Sequence, residues 1–368
     1  MSAALGFVLN AAGLFVPLGI ELKGALEKPK QGTSVQIIVG SGDGTTGGNV
    51  PHIALWDDDG NRIGQYHPSK KDKISEGEPR TITVEHTQTR PKYQQADPYY
   101  VTLSNLENDA ICIAAVTIAN EKISGTFYGD TGFSCGQSWF LSRNKIGQSF
   151  QTPRCVWLDA DHTNKINARA LSFHLNDLAP STDKLSQYQE NKDSLCKSTP
   201  RFSFWGNLLP DGIVPFFKPK LQYKEDSSGG GEGADEDPKK VIDKNNQYDK
   251  SVYMHQGEHK QKTGRARDTG SANHNPEHLV ITDYEDHDVR EVCEHPNSYG
   301  WDVVSTRQGL FCDIDQKQLY VLCSDAVKDN CFDLENKVIV PKGGMGSRDE
   351  LSAHVLAKTY KTLDHWKN

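Results

Sequence analysis

The sequence lacks several of the short motifs that would assign a chemistry directly. It contains no Cys-x-x-Cys pair and no Asn-x-Ser/Thr sequon. These absences argue against a thioredoxin-like or paired-cysteine zinc site, and against N-linked sugar on a protein exported by a eukaryotic pathway. A Ser/His/Asp triad remains compatible with the sequence, because triad residues need not be neighbours along the chain.

The chain also lacks an excess of positive charge. Its formal net charge is −8 over 368 residues, so the whole chain has no general attraction to nucleic acid or to anionic lipid, and we expect no nucleic-acid partner. Hydrophobic residues make up 36% of the sequence, which is enough for most of it to be globular. The length allows two domains, each with its own core.

Eight cysteines are the most informative residues that are present. Four precede and four follow a glycine-rich, charged stretch at about 223–272. An even count without closely spaced pairs predicts disulfides in an oxidising compartment, and therefore a secreted, extracellular protein. The sequence does not give the pairing, but we expect two bridges within each half, because any other arrangement would have to span the polar stretch. The cysteines are Cys112, Cys135, Cys155, Cys196, Cys293, Cys312, Cys323 and Cys331.

The segment from Ala3 to Ile20 is apolar apart from Asn10. It is compatible with a buried helix or hairpin, with a signal or anchor, and with a segment that inserts into membranes. No Lys or Arg precedes it, as a signal peptide would normally require. Pro17 interrupts a run that is barely long enough to span a bilayer. Membrane contact through this segment therefore stays open.

Short alternating runs dominate the sequence after residue 33 and predict a mainly β fold. We expect an antiparallel β-sandwich, followed by a smaller disulfide-braced region of short strands and helices. The Asp/Gly-rich turn Asp57–Asn61 separates two of the strands and predicts a hairpin. The strand candidates of the sandwich are Ser34–Val39, His52–Trp56, Arg62–Tyr66, Arg80–Glu85, Tyr99–Leu103, Ala110–Ile118, Ser124–Tyr128, Ser138–Leu141, Arg154–Leu158 and Ala168–His174.

Changes in composition predict five regions along the chain. They are an apolar N-terminal segment (1–32), the β-sandwich domain (33–175), an aromatic connecting segment (176–222), a disordered linker (223–272) and a cysteine-containing C-terminal region (273–368). The linker has too few apolar residues to offset its chain entropy. Near the C-terminus, a capping box at Ser347 and Glu350, followed by Tyr360, Leu363 and Trp366 at helical spacing, favours a helix.

Two Asp-rich loops could supply oxygen ligands to a cation. Asp159, Asp161 and Asn164 alternate after a strand at a predicted end of the sandwich, and calcium is the ion that such ligands suit. The Asp57–Asn61 turn is similar, but we favour the Asp159 loop because of its place after the strand. Neither run has EF-hand spacing, so ordinary turn chemistry is the competing interpretation. No other cofactor is predicted.

Two further motifs are weaker. His255–His259 fits the H-x-x-E-H pattern of inverted zinc peptidases, but it contains a glycine and lies in the polar linker, where no rigid helix is expected. The Gly40–Gly48 loop follows a strand, as a phosphate-binding loop would, but it lacks the Gly-Lys-Ser/Thr ending and precedes another strand. Chance occurrence in a low-complexity segment is the favoured explanation of the first motif. A hairpin or a mobile rim loop is the favoured explanation of the second.

Several segments of both cysteine-bearing halves resemble a largely uncharacterised family of secreted, cysteine-containing proteins from filamentous ascomycete fungi. The resemblance implies secretion, fungal origin and disulfides, and it implies no catalytic residue. The absence of a clear signal sequence departs from that pattern. The segments that carry the resemblance are Thr33–Val39, Asn49–Trp56, Asn108–Ala114, Cys135–Trp139, Cys155–Asp159, Val303–Ser305, Gly309–Asp313 and Leu322–Cys323.

Three functions are compatible with the sequence. The one we favour is a secreted binding or effector-like protein that recognises carbohydrate or a cell surface. The alternatives are a membrane-active toxin that uses the apolar N-terminus, and a hydrolase with a non-local site. Asp159, Asp161 and His174 are the hydrolase candidates. Whether the protein is an enzyme stays open at this point.

Overall fold

A computed structural model of the chain describes residues 32–40, 46–89, 96–145, 152–163, 166–178, 188–191, 193–196, 198–217, 275–342 and 358–367. The chain divides into two compact units, residues 1–266 and 267–368. Four of the features predicted from the sequence lie outside the described residues: the apolar segment up to residue 31, the polar linker at 223–272, the His255–His259 motif and the capping box at Ser347.

The first unit contains two larger antiparallel sheets and one small one. Strands are numbered in chain order. The six-stranded sheet contains β1 (Gly32–Val39), β6 (Arg80–Glu85), β8 (Ile111–Ala119), β9 (Ser124–Tyr128), β10 (Trp139–Phe140) and β11 (Cys155–Leu158). The five-stranded sheet contains β3 (His52–Trp56), β4 (Arg62–Tyr66), β7 (Tyr100–Ser104), β12 (Ala170–His174) and β13 (Phe202–Trp205). The small sheet pairs β2 (Gly48–Asn49) with β5 (Lys73–Ile74).

Aromatic side chains join the two larger sheets face to face. Phe127 on β9 stacks on Phe173 of β12 at 5.8 Å and on Phe202 of β13 at 5.5 Å between ring centroids. All nine residues of β8 are buried, as expected for a central strand that is covered on both faces. The two sheets therefore form the predicted antiparallel sandwich.

Short helices connect some of the strands of the sandwich. Helix α1 (Gly129–Ser134) follows β9 directly and is buried along its whole length. A 3₁₀ helix (Leu175–Leu178) follows β12, and helix α2 (Asp193–Cys196) precedes β13. These segments are too short to show a helical period in the sequence, which is why pattern reading missed them.

The second unit contains one seven-stranded mixed sheet. Its strands are β14 (His278–Thr282), β15 (Asp302–Ser305), β16 (Leu310–Asp313), β17 (Gln318–Leu322), β18 (Cys331–Asp333), β19 (Val338–Val340) and β20 (Thr362–Trp366). The order across the sheet is β19-β18-β17-β16-β15-β14-β20. Three neighbouring pairs are parallel: β14 with β15, β14 with β20, and β17 with β18.

The tail departs from the helix that its spacing suggests. Residues 362–366 form β20, parallel to β14, with Thr362 opposite His278 and Trp366 opposite Thr282. Trp366 is buried, whereas Leu363 is exposed, so the two do not share a buried helical face. The long-range pairing with β14 overrides the local periodicity. A short helix, α3 (Val289–Glu294), lies between β14 and β15 and is capped by the Asp288 carboxylate.

Four disulfides brace the two units, two in each, as predicted. Cys112–Cys155 and Cys135–Cys196 lie in the first unit. Cys293–Cys312 and Cys323–Cys331 lie in the second. Within the described residues, no helix has both the length and the apolar character needed to cross a bilayer.

Candidate binding surface

The hairpin turn between β3 and β4 is built around Asp57. Its Oδ1 accepts the backbone N–H groups of Asp59 at 2.9 Å and Asn61 at 2.8 Å, and its Oδ2 accepts Asn61 Nδ2 at 3.0 Å. Gly60 completes the turn at φ +80°, a conformation that glycine adopts without strain. The Asp57 carboxylate is therefore committed to the turn, while Asp59 and Asn61 are exposed beside it.

A second loop, Leu208–Phe217, runs over the outer face of the five-stranded sheet. Three of its side chains, Leu208, Val214 and Phe217, are buried in an apolar cluster whose sheet residues include Trp56 and Trp205. Polar contacts hold the backbone at both ends of the loop. Ser104 Oγ donates to Leu208 O at 2.9 Å, and the Phe217 N–H donates to Tyr100 Oη at 3.0 Å. The loop is thus anchored at both ends.

Between these anchors, the loop turns outward. The N–H of Gly212 donates to Leu209 O at 2.8 Å, which closes a β-turn with Pro210 at its second position, where proline is favoured. Leu209 and Ile213 flank the turn and are 53% and 67% exposed. The Asp211 side chain at its tip is almost fully exposed. Two aliphatic side chains and one carboxylate therefore project together from a held loop.

Arg62 and Phe216 join this loop to the Asp57 turn. The Arg62 guanidinium donates to Pro210 O, lies 3.7 Å from Asp211 Oδ1 and stacks over the Trp56 ring at 5.1 Å. A Cβ added at Gly60 would lie 2.7 Å from the Phe216 ring, so the turn needs glycine there for close approach as well as for its φ. We call the Asp57–Asn61 turn and the Leu208–Phe217 loop together the loop surface.

His174, one of the hydrolase candidates, lies at the end of β12 in a buried polar network. Its Nδ1 is 2.9 Å from Asp177 Oδ2, and its Nε2 is 4.0 Å from Asp58 Oδ1. Asp177 Oδ1 also accepts Tyr188 Oη at 3.3 Å and lies 3.4 Å from Arg201 Nε. Burial raises the pKa of Tyr188 well above its ordinary value.

The network is enclosed rather than open. His174, Asp177 and Arg201 each have at most 1% of their surface exposed. The His174 ring is packed by Tyr100 at 4.6 Å and by Phe217 at 5.7 Å between centroids. A His–Asp pair has the geometry of a catalytic dyad, but this packing favours a role in holding the sheet and the loop together.

The Asp159 loop uses its carboxylates internally. Asp159 Oδ2 accepts Thr163 N at 2.8 Å and Thr163 Oγ1 at 2.9 Å, and its Oδ1 accepts the Asp161 N–H at 3.4 Å. Asp159 is fully buried, and burial raises its pKa to about 6. Asp161 is exposed, and Asn164 lies outside the described residues. This arrangement is that of an Asx turn.

The described residues contain no group of three or more His, Cys, Asp or Glu side chains placed to hold a metal ion. A calcium site at Asp159, Asp161 and Asn164 therefore remains a prediction from the sequence. The Asp57 carboxylate likewise accepts hydrogen bonds from within its own turn. This is what the turn interpretation, rather than a cation site, predicts.

The structure does not bring the three hydrolase candidates together. Asp159 bonds through its N–H to Ala168 O just before β12, whereas His174 is the last residue of that strand. His174 lies six positions after Ala168, a separation of about 20 Å in an extended chain. The Asp159 loop instead meets the segment after β13, where His162 Nε2 lies 3.1 Å from Asn207 Oδ1.

The loop surface itself was not predicted from the sequence. The Leu209–Gly212 turn carried a usable signal, because Pro and Gly occupy favoured positions of a β-turn between two apolar runs. The apolar, proline-punctuated stretch that includes Leu208 and Phe217 is typical of a segment that packs against the sandwich. No local pattern could show that it would pack on Trp56, more than 140 residues earlier in the chain.

Comparisons with known proteins give no family for this chain. No family model matches it, and no curated protein matches it. A crystal structure of Delta413-417:GS LOX aligns with 48% of this chain and 21% of its own, at 12% identity and a TM-score of 0.19. A point variant of the same LOX aligns with 45% of this chain and 27% of its own, at 14% identity and a TM-score of 0.20. Neither assigns a fold or a function to this chain.

Proposed function

We propose that the protein is an extracellular binding protein whose loop surface recognises carbohydrate on a cell surface. The exposure of Leu209 and Ile213 on a loop anchored at both ends is the observation that carries the proposal. Single exposed apolar residues are common, but two on one held turn, beside exposed polar groups, are typical of a recognition site. The four disulfides are compatible with an extracellular protein.

The chemistry of the loop surface suits a sugar. A pyranose ring offers an apolar C–H face together with hydroxyl groups that donate and accept hydrogen bonds. Leu209 and Ile213 can cover the apolar face, while the carboxylates of Asp59 and Asp211 and the amide of Asn61 accept from hydroxyls. The loop is already held in place, which limits the entropy lost on binding.

The enclosure of the His174 pair supports binding in preference to hydrolysis. A general base has to reach the proton that it removes, and His174 is covered by aromatic rings. The toxin alternative depends on residues that lie outside the described part of the chain, so no observation here favours it.

The test is a pull-down of the purified full chain on insoluble polysaccharides and on isolated cell-wall material. Replacing both tips, Leu209→Ser with Ile213→Ser, should weaken binding at least about tenfold, equivalent to about 1.4 kcal/mol. The matched control replaces Val321 and Leu363 by Ser in the second unit, where they are 44% and 40% exposed, and it should bind like the wild type. Equal binding by the tip variant would contradict the proposed site. Release of soluble sugar by the wild type would favour the hydrolase alternative.

A further inference from the structure

The second unit encloses a lysine between two aspartates. Lys358 Nζ lies 2.7 Å from Asp302 Oδ2 and 2.6 Å from Asp313 Oδ1. Tyr360 Oη donates to Asp302 Oδ2 at 2.6 Å. Asp302 begins β15 and Asp313 ends the neighbouring antiparallel strand β16, so the sheet itself places the two carboxyl groups side by side. We call these four residues the Lys358 cluster.

The Lys358 cluster is largely buried and has one ammonium group for two carboxyl groups. Asp302 and Asp313 have at most 1% of their surface exposed, and the Lys358 side chain is 18% exposed. One ammonium cannot neutralise two buried carboxylates, so one carboxyl group tends to hold a proton. Burial raises the pKa of Asp302, in spite of the opposing effect of Lys358. Burial therefore favours the neutral acid form of Asp302.

We propose that Lys358 and Asp302 form an intramolecular amide bond, which fastens the C-terminal strand to the sheet. The reaction joins the Lys358 amine, as nucleophile, to the Asp302 carboxylic acid, as electrophile, and the Lys358 cluster holds both groups within hydrogen-bond distance. Asp302 and Asp313 raise the pKa of Lys358 against the effect of burial, so the amine becomes neutral only when it passes a proton to a neighbouring carboxylate. No oxidant, reductant or cofactor is needed. Holding the two groups together in a site with little water replaces the activation that an amide bond otherwise requires.

The roles of the four residues follow from their contacts. The Lys358 ammonium gives one proton to the Asp313 carboxylate, 2.6 Å away, and becomes a neutral amine. Its lone pair then forms the C–N bond to Asp302 Cγ. The C–O bond to Oδ2 breaks, and that oxygen leaves as water with the carboxyl proton and a second proton from Nζ. Reactants and products balance as amine plus acid giving amide plus water.

Two donors support Asp302 as the electrophile rather than Asp313. The N–H of Ile314 donates to Asp302 Oδ1 at 2.9 Å, and it remains in place for the oxygen that becomes the amide carbonyl. Tyr360 Oη donates to the oxygen that leaves. Asp313 Oδ1 instead accepts the Gln316 N–H at 3.1 Å, in addition to its contact with Lys358. Asp313 is thus placed to take the proton.

The bond would close a loop between residues 56 positions apart. Lys358 lies four residues before β20, so an amide at this position would fix the entry of the last strand onto the sheet. The two disulfides of this unit involve Cys293, Cys312, Cys323 and Cys331 and do not hold that strand. The proposed amide would supply the restraint on the unfolded chain that the disulfides leave out.

Mass spectrometry of the full chain, reduced and alkylated, tests the proposal without any variant that has to fold. We expect a population lighter than the alkylated sequence by one water molecule. We also expect a branched tryptic peptide that joins the segments around Asp302 and Lys358, with no cleavage after Lys358. Lys358→Arg, which keeps the charge but cannot form this amide, and Asp302→Ala should each show the full mass. Asp313→Asn should slow the appearance of the branched peptide.

Three outcomes would overturn the inference. The first is a wild-type chain of full mass that yields separate linear peptides after incubation in the folded state. The second is a water loss that maps within a single linear peptide. The third is a branched peptide that joins Lys358 to Asp313, because it would reverse the roles assigned to the two aspartates.

Discussion

The two units of this protein are both β-rich and each carries two disulfides, yet they bury their residues differently. The first unit packs two sheets against each other through stacked aromatic rings. Among the residues that the structure describes, the second unit has one sheet, a core cluster of six buried hydrophobic residues, and a strand, β17, in which no residue is fully buried. A single sheet leaves more of its surface to solvent. The stability of the two units should therefore respond differently to the loss of an ion pair and to the loss of a bridge.

The largest predicted effect is the loss of stability when a buried ion pair of the first unit is broken. Arg201 is fully buried and its Nε lies 3.4 Å from Asp177 Oδ1. Arg201→Met leaves that carboxylate without its cation and should destabilise the first unit by about 3–5 kcal/mol in denaturant unfolding. The matched control is Arg290→Met in the second unit, where an exposed pair with Glu294 joins the two side chains at 3.7 Å. That change should cost less than about 1 kcal/mol. Similar losses in both variants would contradict the comparison.

Removing a disulfide should cost more stability when the bridge closes a longer stretch of chain. Cys135–Cys196 spans 61 residues and Cys323–Cys331 spans 8. Loop-closure entropy gives about 4 kcal/mol for the longer bridge and about 2.5 kcal/mol for the shorter one. Replacing each pair by serine and following unfolding of each unit by urea titration measures both. A larger loss for the short bridge would show that the second unit depends on its bridges through native packing rather than through chain entropy.

The pH dependence of unfolding should distinguish two aspartates whose pKa values are shifted in opposite directions. Asp159 in the first unit has its pKa raised to about 6 by burial. Its folded form therefore holds a proton that the unfolded chain has already lost, so its stabilising contribution is present at low pH and disappears as pH rises from about 4 to 6. The loss is on the order of 2–3 kcal/mol.

Asp333 in the second unit gives the opposite sign. Hydrogen bonds from Asn336 lower its pKa, so its contribution is present at higher pH and is lost as pH falls below its unfolded value. Urea unfolding at a series of pH values, with Asp159→Asn and Asp333→Asn, measures both slopes. Asp159→Asn should flatten the decline between pH 4 and 6. An unchanged slope would mean that burial does not perturb Asp159.

The smallest predicted effect concerns calcium at the Asp159 loop. If Asp159, Asp161 and Asn164 bind the ion, free calcium at ten times its Kd should stabilise the first unit by about 1.4 kcal/mol, and Asp161→Asn should reduce the gain. The second unit should not respond. Equal unfolding transitions in calcium and in chelator would show that the loop is an Asx turn that does not bind calcium.

Most strands were predictable from the sequence because their signal is local. The hairpin around Asp57 combined alternating runs with a turn whose residues favour tight reversal, and the structure places β3 and β4 there. The division of the bridges was also predictable, since the polar stretch separates the cysteines into two sets. The individual partners were not, because pairing depends on which strands meet in space.

What the sequence did not show depends on contacts between distant segments. Thr362, in the tail strand β20, bonds through its Oγ1 to His278 Nδ1 at 2.9 Å, across 84 residues. The Lys358 cluster likewise draws its members from β15, β16 and the tail. The loop surface arises because Leu208 and Phe217 pack on the five-stranded sheet. The members of each of these groups have no regular spacing in the sequence that would have identified them.

A disulfide map of the native protein tests most directly whether two bridges brace each of the two β units. Digestion without reduction, followed by mass spectrometry, should yield four linked pairs: Cys112–Cys155, Cys135–Cys196, Cys293–Cys312 and Cys323–Cys331. Free thiols at these positions, or a bridge from one unit to the other, would contradict the account.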